Sequence, residues 1–249
     1  MSARYELNNI PSFRAENIKN RRALLSPMPN ANQQTDLLAQ QFEGDFYTDK
    51  YATEYYFKKF VSQYDVLHLA LHTACSSATK EDGLFLAFSE DAYPKEDNFL
   101  TIKEVQSLNL KAGLTVLPFT HIEANKRSSI QGLMSLSASF LYAGSEAVVY
   151  SLWANSSDFM PEILTGYYQQ LQGAFPKDIA LQKAKLDYLN QAEGIAAHPA
   201  YWASLIQLGR LDPLEISEPV IHIWWFVLPI AFIGFFGWWC LQALKQRRK

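Results

Sequence analysis

Short apolar runs alternate with amphipathic stretches through most of this chain. Val66–Leu71, Leu84–Phe88, Leu114–Phe119 and Ala147–Trp153 are of strand length and apolar nearly throughout, which predicts strands buried on both faces. A short strand is also expected at Asp45–Tyr47, and a last strand or extended segment at Tyr201–Leu208, ended by Gly209. Between these lie helical patterns. Asp36–Phe42 carries Leu37, Leu38 and Phe42 on one side, and Glu54–Ser62 follows a capping Thr53. Thr101–Ser107 opens with Thr101 and has Glu104 three residues on, a capping box. Ser128–Tyr142 ends at Ala143-Gly144, and Asp158–Gln172 and Lys177–Gln191 are parted by Gly173 and Pro176. Alternation of this kind implies an α/β fold: a mostly parallel central sheet with helices on both faces. Residues 1–35, with Pro11, Pro27 and Pro29 among polar residues, read as a loosely structured lead-in.

The pattern changes at Val220. From there to Leu244 the chain has no Asp, Glu, Lys or Arg, and about 20 apolar residues suffice to cross a bilayer. Trp224-Trp225 and Trp238-Trp239 bracket the run as an interfacial aromatic belt would. Pro229 and Gly234 are tolerated in spans. Residues 220–244 are therefore expected to form one C-terminal transmembrane helix, followed by a basic tail, 245–249. By the positive-inside rule that tail lies in the cytosol and the globular part, 36–212, on the non-cytoplasmic side. Residues 1–30 hold no apolar stretch that reads as an export signal. Two arrangements stay open: a tail-anchored chain with a cytosolic domain, or the C-terminal piece of a longer exported protein.

Composition narrows the function classes. With 49% hydrophobic residues in 249, a sizeable core is available. All 25 acidic residues precede Val220, as do all but four of the 22 Lys and Arg, so the globular part is net acidic. No basic cluster with interleaved aromatics is present, and nucleic acid is not an expected partner. The two cysteines, Cys75 and Cys240, are far apart in sequence and form no Cys-x-x-Cys; with five histidines, this gives no metal-site pattern. No phosphate-binding glycine fingerprint occurs, so no cofactor is expected.

Candidate chemistry sits at two strand ends. In sheets of this type sites lie beyond the carboxyl ends of the strands. His72 and Thr120 both fall just past their predicted strands. Cys75 is three residues beyond His72 and reads first as a small apolar loop residue. His121 adjoins Thr120, His68 reads as core or helix-facing, and His198 before Pro199 reads as a turn residue.

Four segments in order carry a resemblance. They are Val66-Leu-His-Leu-Ala-Leu-His72, Gly132-Leu-Met-Ser-Leu-Ser-Ala-Ser-Phe-Leu-Tyr-Ala-Gly144, Ala147-Val-Val-Tyr-Ser-Leu-Trp153 and His198-Pro-Ala-Tyr-Trp-Ala-Ser-Leu205. Together they resemble the CHAT domain, a caspase-like peptidase module that bacteria often attach to tetratricopeptide repeats, over about Leu37 to Gly209. The resemblance implies a caspase-like fold and a His–Cys dyad, with the histidine at His72. The cysteine position is the fourth residue of a Leu-Ser-Ala-Cys-type motif. Here that motif reads Leu117-Pro-Phe-Thr120. The glycine-rich segment that follows in the family is His121-Ile-Glu-Ala-Asn-Lys-Arg-Ser-Ser-Ile-Gln131, and only Gly132 survives of its Gly-Glu-Gly ending. A pocket-shaping acid of the family falls near Ser157, with Asp158 one residue off register.

These departures imply a membrane-anchored, catalytically inactive peptidase homologue that binds a protein or peptide segment in its former substrate groove. A tetratricopeptide-containing partner or upstream region is a further expectation. Two alternatives stand beside it: an active hydrolase of the caspase-like clan using Cys75 or Thr120 with His72, and a relic with no retained role.

Overall fold

The computed structural model describes residues 29–75, 84–90, 96–119, 122–123, 128–153 and 159–215. The chain divides into two units, Met1–Glu215 and Ile216–Lys249, and the second lies outside the described residues. Among the described residues of the first unit, the α-helices and strands follow in chain order: α1 Pro29–Gln41, α2 Glu54–Phe60, β1 Val66–His68, β2 His72–Cys75, β3 Leu84–Ala87, β4 Phe99–Thr101, α3 Ile102–Ser107, β5 Leu114–Leu117, β6 Ile122–Glu123, α4 Ser128–Tyr142, β7 Ala147–Ser151, α5 Met160–Gln172, α6 Lys177–Gln191, α7 Pro199–Trp202 and β8 Leu205–Gly209.

The central sheet has the order β1-β5-β7-β8. The first three strands are parallel and β8 closes the edge antiparallel to β7. All four β5 residues and all five of β7 are buried, as expected of a sheet covered on both faces. Side chains alternate between two cores. Leu114, Val116, Ala147 and Val149 pack with α5, α6 and Leu38 of α1. Leu117, Val148 and Tyr150 pack with Val105 of α3 and with Leu133, Leu136 and Phe140 of α4. Each fully buried leucine of this kind is worth about 1.5–3 kcal/mol. Thr115 and Ser151 are buried polar residues inside the sheet. The Thr115 hydroxyl lies 2.9 Å from that of Ser145, which also donates to the Ala147 carbonyl at 2.9 Å, so the Thr115 hydroxyl is partnered.

The expectation of one sheet needs correction. A second four-stranded sheet, β4-β3-β2-β6, stands beside the first. β2–β3 and β3–β4 are antiparallel, while β2–β6 is parallel. The apolar run from Val66 serves both sheets: β1 stops at His68, the Leu69 amide still donates to the Val116 carbonyl at 2.9 Å, and the chain then passes into β2. Strands β4 and β6 were not expected, because three and two residues are too few to show a period.

Three further expectations shift. The lead-in gives up its last residues to α1, which starts at Pro29, a position where proline's missing N–H costs no helical bond. Residues 45–47 form no strand. Tyr47 instead stacks on Tyr56 and Phe60 with centroids 6.0 and 6.4 Å apart, and Asp45 accepts a bond from the Tyr64 hydroxyl at 2.7 Å. Tyr201–Leu208 splits into the end of α7 and the strand β8. Other expectations match: α4 and α6 have the expected bounds, Thr53 accepts from the Tyr56 amide, and the Thr101–Glu104 capping box is complete, while α2, β7 and α5 are about two residues shorter than expected.

Gly144 ends α4 at φ +115°, and a Cβ there would stand 2.4 Å from the Leu110 carbonyl oxygen. Backbone cannot yield as a side chain can, so Gly144→Ala should lower the unfolding free energy by about 1–3 kcal/mol. Thermal melts of the whole chain would measure this; an unchanged midpoint would show that the α4–β7 turn is slack.

Candidate functional site

Two parallel crossings build the site. β1 and β5 run side by side with His68 opposite Val116, and β2 and β6 run side by side with Thr73 opposite Ile122. Both chains thus leave the central sheet together and enter the second sheet together. Between the matched positions, the crossing from Val116 to Ile122 contains one residue more than that from His68 to Thr73.

His72 is the first residue of β2, half-buried, and stands opposite Ala87 of β3. On the other crossing, β5 ends in a three-residue turn: the Phe119 amide donates to the Leu117 carbonyl at 3.0 Å around Pro118, whose fixed φ suits such a turn. Pro118 and Phe119 are buried. Thr120 follows Phe119 directly and lies outside the described residues, as do His121, Ser157 and Asp158. Cys75 occupies the far end of β2, opposite Leu84. A strand rises about 3.3 Å per residue, so its Cα is about 10 Å along the backbone from that of His72.

The other two described histidines have structural partners. His68 turns to the α5 side, where its Nδ1 lies 2.9 Å from the Tyr168 hydroxyl. Burial pushes its imidazole down to about 4, so the ring is neutral at physiological pH. His198 caps α7 by accepting the Ala200 amide on Nδ1 at 3.2 Å, in keeping with a turn role.

Two of the sequence segments clasp each other. The Leu152 amide donates to the Ser204 carbonyl at 2.8 Å, and Trp153 Nε1 donates to the Ala200 carbonyl at 2.9 Å. Trp202 Nε1 in turn donates to Ala197 at 3.1 Å. The Ser-Leu-Trp strand end and the His-Pro-x-x-Trp turn therefore form one unit at the carboxyl end of β7. Both tryptophans act as hydrogen-bond anchors.

Sequence reading missed one charged cluster beside the second sheet. Lys58 Nζ lies 2.7 Å from Glu54, 3.0 Å from Glu96 and 3.1 Å from Glu104. The i,i+4 spacing of Glu54 and Lys58 was readable, but the approach of Glu96 and Glu104 depends on tertiary folding. Burial opposes the Lys58 charge, and the three carboxylates more than offset it, holding the ammonium above its usual range. Glu54 is fully buried, and that burial pushes its carboxyl from 4.5 up to about 7 against the pull of Lys58. The three carboxylates are close enough together to hold a cation, but the Lys58 ammonium already serves as their shared counter-charge.

A sequence profile of the CHAT domain matches residues 9–210. The chain belongs to the CHAT-domain family. Tetratricopeptide repeat protein 28 of Homo sapiens is 26% identical over 129 residues, 52% of this chain and 5% of that protein. The same protein of Mus musculus is 25% identical over 144 residues, 58% of this chain and 6% of its own length. This CHAT-domain chain thus spans about a twentieth of the length of those relatives.

Glu54 binds its proton more tightly folded than unfolded. Its contribution to stability is complete below pH 4.5 and is lost as the pH rises to about 7. Glu54→Gln, which mimics the protonated form, should therefore cost more at pH 5 than at pH 8, by about 1–3 kcal/mol. Urea midpoints of both proteins at the two pH values test this; an equal cost at both would refute it.

Proposed function

We propose that this CHAT-domain protein is a catalytically inactive, caspase-like peptidase homologue that binds a protein segment and is held at a membrane by residues 220–244. The observation that carries the reading is the pairing of a retained histidine with a lost nucleophile. His72 heads β2, the strand that follows β1 beside β5, and the chain position after Phe119 is Thr120, where the resemblance places the family's cysteine. A cysteine of pKa about 8.5 becomes a thiolate beside a histidine, whereas a threonine hydroxyl is far less acidic. Threonine nucleophiles generally draw on an N-terminal amine as base, and Thr120 is internal. Loss of glycines across 121–131 also removes positions where backbone N–H groups approach an oxyanion closely. What is kept is a groove-forming frame without the chemistry.

The protein-binding role draws support from the relatives, which are tetratricopeptide repeat proteins by name. A tetratricopeptide-containing partner or upstream region fits this role. Among the described residues no helix is long and apolar enough to cross a membrane. Residues 220–244 lie outside them, so the span rests on their uncharged sequence and paired tryptophans. The basic tail favours a globular domain on the non-cytoplasmic side.

The decisive experiment is a peptide-library digest with the whole chain in nanodiscs, alongside His72→Ala and Thr120→Ala. No turnover above background is expected from any of the three. Cleavage by the wild type that His72→Ala abolishes would overturn the reading and direct the search to Thr120 or Cys75 as nucleophile.

A further inference from the structure

The Lys58 cluster joins three parts of the domain. Glu54 and Lys58 lie one turn apart on α2, Glu96 precedes β4, and Glu104 belongs to α3. The ammonium meets all three carboxylates, the farthest at 3.1 Å, but they are held unequally. Glu104 is fixed twice more, accepting from the Thr101 amide at 2.8 Å and from the Thr101 hydroxyl at 2.7 Å. Lys58 is the one side-chain partner of Glu96 among the described residues, and the Glu96 side chain is 33% exposed. Glu54 has no exposed side-chain surface, and its Oε2 is buried with no hydrogen-bond donor among the described residues. Asp97 also acts on Glu54 through its charge, while its Oδ1 accepts the Phe99 amide at 3.0 Å.

One ammonium cannot balance three carboxylates away from water, because like charges at this range repel and a buried anion without donors is costly. We infer that Glu54 is a proton-operated clasp. With its proton on, Lys58 serves Glu96 and Glu104 and ties β4 to α2. With the proton off, Lys58 is drawn to the buried Glu54 anion and Glu96 is released. Glu96 is the arm that leaves because Thr101 keeps Glu104 in place. Burial lifts the Glu54 carboxyl to about 7, and Lys58 stays charged on both sides of that value, so the clasp is closed in mild acid and opens as the pH rises past neutrality. The release is felt at the candidate site. Phe99 of β4 stands opposite Ala87 of β3, and Ala87 stands opposite His72 of β2, so one rung of the second sheet runs from the clasp to the histidine. This device acts on the frame of the site and needs no bound segment, and so goes beyond the binding role.

Hydrogen exchange read by mass spectrometry tests the clasp on the whole chain in nanodiscs, at about pH 6 and pH 8, with each rate corrected for intrinsic exchange. The readout is the protection of β4 and β3 amides relative to those of α4 and α6, which removes any change in global stability. In the wild type this ratio should fall about fivefold or more from the lower pH to the higher. Glu54→Gln, which cannot ionise, should keep the ratio of the acid state at both pH values. Glu96→Gln, which lacks the released charge, should show the lower ratio at both. An unchanged wild-type ratio overturns the clasp, as does a fall that Glu54→Gln retains. Should Glu54→Gln not fold, the wild type and Glu96→Gln decide: a wild-type fall that persists undiminished in Glu96→Gln overturns it, and a fall that disappears there supports it.

Discussion

Burial of a parallel sheet on both faces is the constraint on which everything else in this domain depends. β5 has no exposed residue, and its two faces feed two separate cores. A strand in that position has no freedom to slide, because a shift of one residue would exchange the two faces. Its end is therefore a fixed point, and the turn at Pro118 delivers the chain from it toward β6 at a set place. The retained histidine is held by the same logic through β1, which lies in register beside β5. The frame of the site is thus a by-product of core packing, and it persists whether or not chemistry is carried out on it.

That independence leaves the frame of this CHAT domain standing whatever residue follows Phe119. Thr120 follows Phe119, and the buried residues before it hold the strand end without help from the fourth position of the motif. The clasp of Trp153 and Trp202 to backbone carbonyls is likewise structural, since each indole N–H satisfies an acceptor in the turn around α7.

Elements with a long period could be read from sequence. α4 and α6 match to the residue, and the capping box at Thr101 identified a helix of only six residues. What stayed hidden was short or tertiary. β4 and β6 are too brief for any periodic signal, and the division of Val66–Cys75 between two sheets is marked by no Gly, Pro, Asn or Asp in that run. At the site, His72 was expected just past a strand whereas the structure makes it the first residue of β2, and His68 could be read only as core or helix-facing, where Tyr168 meets it. The grouping of Glu54, Glu96 and Glu104 on one lysine could not, because 42 residues of sequence separate the first of these carboxylates from the second.

The extra residue in the crossing from Val116 to Ile122 constrains how this chain can change through evolution. Loops usually tolerate insertion and deletion, but this one is counted against a neighbour of fixed length on the adjacent strand. Removing one residue would let the two crossings match, yet it would turn every side chain of β6 to the opposite face of the second sheet. The register therefore constrains the length of this crossing more tightly than the identity of the residues within it.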